Sequence, residues 1–150
     1  MELLFFAYRD FTSEPDEILE KYGFGRAHHR VLHFVSRNPG LRVADLLEIL
    51  KITKQSLARV LKQLVDEGFI IQKAGENDRR ERHLHVTELG KSLAGQLADL
   101  QMERLSRAIS AAGPNVQDEL RSFLFAMIGD DQRRLVSHLI NKTGGEKTPD

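Results

Sequence analysis

The chain contains no cysteine. That excludes a disulfide framework, a thiol-based redox switch and any metal site built on cysteine. It also lacks any apolar run near the ~18 residues that a membrane-spanning helix needs, so no membrane partner is expected. The opening stretch, Met1 to Phe11, is apolar but has no basic leader and carries Arg9 and Asp10 early. It does not read as a signal peptide, and a cytoplasmic location is expected. There is no Gly-rich phosphate loop, no nucleophile elbow, no HExxH pair and no convincing triad. Carboxylates lie scattered among Lys and Arg, as on an ordinary solvated surface. An enzyme is not expected, and neither a cofactor nor a metal is assigned. No internal repeat is present.

Net charge is the remaining absence. Lys and Arg number 22, and so do Asp and Glu. The balance is uneven along the chain, however. Between Lys51 and Val86 eight basic residues (Lys51, Lys54, Arg59, Lys62, Lys73, Arg79, Arg80, Arg82) face five acidic ones (Asp66, Glu67, Glu76, Asp78, Glu81). The segment stands at +3 and the remainder at −3. One basic face on a protein that otherwise repels polyanions suits a nucleic-acid partner.

With 150 residues the chain can bury roughly 70% of the surface that it exposes unfolded, enough for one self-supporting domain. Its fold class reads as mainly α with a small β-hairpin wing. Glu2 to Phe11 is predicted as a helix with apolar residues on nearly all sides, hence buried all round. Thr12 or Ser13 is placed to cap a second short helix, with Pro15 in its first turn and Gly23 stopping it. Arg26 to Arg37 follows as a helix with Ala27, Val31, Leu32 and Val35 at helical spacing. Leu41 and Arg42 have the makings of a short paired strand. Ala44 to Leu50 is a helix, Ile52 sits in a turn, and Thr53 caps the helix Lys54 to Glu67. There Leu57, Val60, Leu61 and Leu64 form a single stripe. Phe69 to Gln72 and Arg82 to Val86 are predicted strands around a polar hairpin. Thr87 caps a long helix to about Ala112, which Gly113-Pro114 breaks. A last helix, Val116 to Ile140, is interrupted near Gly129. The polar stretch 142–150 is expected to be a disordered tail.

Two short helices at a turn, then a strand, a charged hairpin and a second strand, make a winged helix-turn-helix over about 26–87. The face of 54–67 opposite its apolar stripe carries Lys54, Gln55, Ser56, Ala58, Arg59, Lys62 and Gln63. Gln and Arg suit bidentate contacts to adenine and guanine edges, and Ser56 and Ala58 are small enough to let a helix lie close to a groove floor. The wing, about 74–82, crowds Arg79, Arg80 and Arg82 at its tip, suited to phosphates or a narrow minor groove. Asp78 is placed to hold the Arg80 guanidinium extended by a charge-assisted pair. Each element alone would read as a solvated charged surface; the order of the elements favours DNA.

ITKQSLARVLKQLVDEGFI, followed by NDRRERHLHVTELG, resembles the MarR family of bacterial transcriptional regulators. The most specific parts are Asp78-x-Arg80 in the wing and the strand exit Val86-Thr87-Glu88-Leu89-Gly90. The resemblance covers about residues 26–100, and the flanking helices by layout. It implies a homodimer held by N- and C-terminal dimerisation helices, about 2–22 and 88–141. It also implies a pseudo-palindromic double-stranded operator and, as a rule, repression. Lys54, Gln55, Ser56, Arg59 and Lys62 would enter the major groove, with Asp78, Arg79, Arg80 and Arg82 at the minor groove. The apolar first helix and the run Phe123, Leu124, Phe125, Met127 and Ile128 supply surface that a dimer would cover. The competing reading is a winged-helix module that contacts proteins without specific DNA binding; the basic faces argue against it.

Many family members sense oxidants through a cysteine in the first helix, which this chain cannot do. Others respond to phenolic acids bound between the dimer base and the winged domain. Tyr8, Arg9, Tyr22, Phe24, His28, His29 and His33 are the residues expected to line such a crevice, and aromatic walls with Arg and His suit a small aromatic or phenolic effector. His29 and His33 stand at i, i+4, a metal-compatible spacing. With no acidic residue in that helix, no metal is assigned there. His83 and His85 share a strand face beside the wing and are expected near DNA or an interface.

Overall fold

The computed structural model describes residues 1–75, 78 and 80–144. Elements follow in the order α1 (Glu2–Glu20), α2 (Arg26–Arg37), β1 (Leu41–Arg42), α3 (Val43–Leu50), α4 (Lys54–Asp66), β2 (Ile70–Ala74), β3 (Arg82–Val86), α5 (Glu88–Ala112), α6 (Val116–Ala126) and α7 (Asp130–Gly144). They form two compact units, Met1–Arg104 and the part from Leu105 onward.

The predicted pair of helices at the N-terminus is one helix, α1, with Pro15 inside it. Proline cannot donate to the carbonyl four residues back. Here that carbonyl, on Phe11, accepts instead from Nε2 of Gln101 at 3.4 Å. Thr12 does not cap a new helix: its hydroxyl donates back to the Tyr8 carbonyl at 3.0 Å, as Ser13 does to that of Asp10. The sequence rule that reads Ser/Thr before Pro as a helix start lost to these back-bonds. The expected all-round burial of α1 also fails within one chain. Leu3 is 86% exposed, and Leu4, Phe5, Phe6 and Tyr8 are exposed with it.

The core of the first unit joins Leu19 of α1, Val31, Leu32 and Val35 of α2, Leu46 and Leu50 of α3, and Leu57, Val60, Leu61 and Leu64 of α4. Phe69, Ile70 and Leu84 enter from the hairpin, and Leu93, Ala94 and Leu97 from α5. The sheet order is β1-β3-β2, antiparallel throughout, with Leu41 opposite Leu84 and Gln72 opposite Leu84 on the other side. Thus the suggested strand at Leu41–Arg42 forms, and the first hairpin strand runs to Ala74, two residues beyond the predicted end.

The exit from β3 is tightly built. Thr87 Oγ1 donates to the Gly68 carbonyl at 2.7 Å and accepts from the Gly90 N–H at 3.1 Å, capping α5. A Cβ on residue 90 would stand 2.1 Å from the Phe69 carbonyl oxygen. Only glycine lets α5 start this close to the head of β2.

In the second unit, Gly113 at φ +104° ends α5. Arg133 of α7 donates from Nε to the Ile128 carbonyl at 3.1 Å and from Nη2 to that of Ala126 at 3.0 Å. It thereby satisfies carbonyls at the end of α6, so the break predicted near Gly129 is a bonded corner. Helix α7 continues to Gly144. The predicted tail therefore begins later than 142, and the rest of it lies outside the described residues.

Candidate nucleic-acid interface

Helix α4 is set by its cap and its stripe. Thr53 Oγ1 accepts from the Ser56 N–H at 3.1 Å and donates to the Ser56 hydroxyl at 2.9 Å. Lys51, at φ 51°, makes the left-handed turn that lets α3 hand over to α4. Leu57, Val60, Leu61 and Leu64 are all buried, which fixes the rotation of the helix about its axis. Lys54, Gln55, Ala58, Arg59 and Lys62 are consequently exposed. The side chains of Lys54, Gln55 and Arg59 have no hydrogen bond or ion pair among the described residues. Lys62 is paired with Asp66 one turn on. Ser56 is half-buried and spends its hydroxyl in the cap, so its predicted place on the contact face is at the edge.

The wing is closed at its foot. The Gly75 N–H donates to the Glu81 carbonyl at 3.2 Å, and a Cβ on residue 75 would lie 2.6 Å from the Asp78 carbonyl oxygen. Asp78 Oδ1 accepts from the backbone N–H of Arg80 at 2.8 Å. This differs from the charge-assisted pair predicted for the Arg80 guanidinium: the carboxylate shapes the turn and leaves the side chain exposed, with no partner among the described residues. Arg82 is exposed, with Nη1 3.4 Å from the Glu81 carbonyl. Arg79 lies outside the described residues.

Arg42 makes a two-pronged contact with Asp45, Nε to Oδ2 at 2.8 Å and Nη2 to Oδ1 at 2.7 Å. Its Nη1 also reaches Glu81 Oε1 at 3.2 Å, and Glu81 Oε2 meets His83 Nε2 at 3.2 Å. The bonds to Asp45 and Glu81 hold the Arg42 guanidinium above its ordinary pKa, and those to His83 and Arg42 hold Glu81 below the usual carboxylate range. Sequence reasoning missed this group. Arg42 and Glu81 lie far apart in sequence, and only the β1–β3 pairing brings them together.

The seven residues predicted to line one ligand crevice fall into three places. Tyr8, His29 and His33 do share a cleft of about 280 Å³, with Phe11, Thr12, Arg26, Arg30, Phe34 and Gln101. Arg26 lies over the Tyr8 ring at 5.3 Å and bonds Asp16 at 2.9 Å. Burial lowers the pKa values of His29 and His33, so both are neutral near pH 7. Tyr22, Phe24 and His28 are not part of that cleft: Phe24 stacks with both Tyr22 and His28, and Phe69 meets the Tyr22 and Phe24 rings edge-on, Phe24 being buried in the core. Arg9 is exposed and bound to Asp10 at 2.7 Å. The helical turn of α2 separates His28 from His29, which spacing along the chain had grouped. No cluster of three or more metal-binding side chains occurs among the described residues.

Comparison with known proteins decides the family. The MarR family model matches residues 22–81. The HTH-type transcriptional regulator PetP of Rhodobacter capsulatus is 48% identical over 134 residues, 89% of this chain and 81% of that protein. The chain belongs to the MarR family. It is a DNA-binding transcriptional regulator, and MarR proteins are regulators, not enzymes. Solved structures share the winged-helix fold. Streptococcus pneumoniae FabT in complex with DNA has a TM-score of 0.73 at 17% identity, covering 84% of this chain and 90% of its own. MarR family protein Rv2887 of Mycobacterium tuberculosis, solved with p-aminosalicylic acid, has a TM-score of 0.58 at 23% identity over 82% of this chain and 93% of its own. No helix among the described residues is long and apolar enough to cross a membrane.

Proposed function

We propose that this MarR protein is a cytoplasmic homodimeric repressor of a pseudo-palindromic operator. Each subunit lays α4 in the major groove and its wing along the minor groove. The observation that carries this reading is the exposed, unpaired set Lys54, Gln55 and Arg59 on a helix whose rotation the core fixes. Phosphate contacts from Lys54, Arg80 and Arg82 give position, and Gln55 and Arg59 supply base-edge donors. A second copy of the chain accounts for the apolar surface left open at the start of α1 and on α6, where Phe123, Leu124 and Met127 are exposed.

The cleft beside α2 supports an aromatic carboxylate as effector. Tyr8 and Phe34 give apolar walls, Arg30 a cation, and neutral His29 and His33 hydrogen-bonding groups. p-Aminosalicylic acid, with which the Mycobacterium tuberculosis protein was solved, is of that class.

The test is a gel shift against the chain's own upstream DNA, with scrambled competitor, at two salt concentrations, before and after adding simple aromatic acids. Saturable, salt-sensitive binding that scrambled DNA fails to compete, released by millimolar aromatic acid, is expected. Equal competition by any duplex contradicts the operator reading, and absence of release contradicts the effector.

A further inference from the structure

Helix α2 and helix α4 are joined by one polar side chain, which the regulator's DNA contacts do not themselves use. His28 stands in the first turn of α2. Its Nδ1 accepts from the Gly25 N–H at 3.1 Å, and its Nε2 lies 2.9 Å from Gln63 Oε1 on α4. The ring is stacked on Phe24, centroids 4.7 Å apart and planes 9° from parallel. Gln63 Nε2 in turn donates to Glu67 Oε1 at 3.0 Å. A backbone N–H can only donate, so Nδ1 carries no proton and Nε2–H is the donor to Gln63. That leaves the Gln63 amide NH₂ for Glu67. The chain of donors runs one way, from the start of α2 to the end of α4.

We propose that His28 is a positioning residue for DNA recognition, clamping α4 through Gln63 so that Arg59, one turn away on the same helix, meets base edges at the right rotation. The inference rests on α4 being the groove-reading helix. Packing of Leu57, Val60, Leu61 and Leu64 fixes the rotation coarsely. Rotamers leave apolar packing some slack; a hydrogen bond of 2.9 Å length from a stacked, half-buried ring removes it. A slightly rotated helix still reaches phosphates but misses bidentate base contacts.

The clamp works only while His28 is neutral. Protonation puts a hydrogen on Nδ1, facing the Gly25 N–H, and ends the cap. Burial keeps the His28 pKa below its ordinary value, with the nearby Arg59 lowering it further, against the hydrogen bond to Gln63 and the charge of Glu67. The clamp is therefore intact at pH 7 and lost under acid.

Three variants separate bridge from cap. Glutamine in the third helical position can cap the helix start by reaching back to its N–H, so His28→Gln keeps the α2 cap and loses the ring. Gln63→Leu removes the acceptor from the other side, and the double variant completes a cycle. Operator and random-duplex affinities are measured for each by anisotropy between pH 5.5 and 8, with thermal unfolding alongside. Each single variant is expected to lose about three- to tenfold in operator affinity, the worth of one hydrogen bond, while random-duplex affinity holds. The double variant should lose no more than either single one. Wild type should lose operator selectivity on acidification in a step that His28→Gln lacks. Additive losses in the cycle, or wild-type selectivity and an unchanged acid step in His28→Gln, overturn the clamp. Wild type that fails to prefer operator at any pH contradicts the role of α4 itself.

Discussion

Arg42 at the head of α3 and Glu81 at the foot of the wing are bonded across 39 residues of sequence, Nη1 to Oε1 at 3.2 Å. The contact ties the wing's return strand to the helix-turn-helix. Both side chains are substantially exposed, so the pair adds little to global stability. Its effect falls on where Arg80 and Arg82 point. Glu81→Gln should leave the thermal midpoint nearly unchanged and weaken DNA binding about two- to fivefold, more at low salt than at high. Parallel thermal scans and affinity titrations check this. A lowered midpoint with unchanged affinity would assign the pair to stability instead.

Gly90 makes the strand exit possible. With a Cβ at 2.1 Å from the Phe69 carbonyl oxygen, Gly90→Ala must push α5 away from β2 or break the Thr87 cap. A cost of about 1–3 kcal/mol is expected, as for other overpacked sites. Urea unfolding measures it, with Gly95→Ala as control, since nothing lies within 4 Å of a Cβ there. A Gly95→Ala effect as large as that of Gly90→Ala would show general helix damage rather than this contact.

Acid should unfold the protein earlier than carboxylate titration alone requires. His28, His29, His33 and His85 all have pKa values lowered, with burial the largest cause in each. The unfolded chain then binds protons that the folded one refuses. Stability is complete above about pH 6.5, the ordinary histidine value, and falls as pH drops from there toward the depressed folded values. Urea midpoints from pH 8 to pH 5 should decline below that point. His29→Gln with His33→Gln should flatten part of the decline; an identical profile in that variant would show these two rings do not titrate in this window.

The sequence carried most of this arrangement. Period and caps placed α2, α4 and β3 to within a residue, because Thr53, Thr87 and the leucine stripe act locally. The exposed basic face of α4 followed from the same stripe. What sequence could not supply depends on partners distant in the chain. Pro15 sits inside a continuous helix because Gln101 takes the carbonyl it leaves open. His28 and His29 are neighbours in sequence but face different sides of α2, one toward Gln63 and one toward the cleft beside Tyr8. Asp78 binds a backbone N–H two residues on, a turn geometry that charge pairing conceals.

The central claim is that Arg59, exposed and unpaired on α4, reads base edges. The most direct measurement is the affinity of wild type and Arg59→Ala for operator and for scrambled duplex at fixed salt. A base contact is worth about 1–3 kcal/mol of discrimination, so the variant should lose roughly five- to 150-fold on operator and far less on scrambled DNA. Equal losses on both duplexes would contradict the claim and make Arg59 a phosphate contact only.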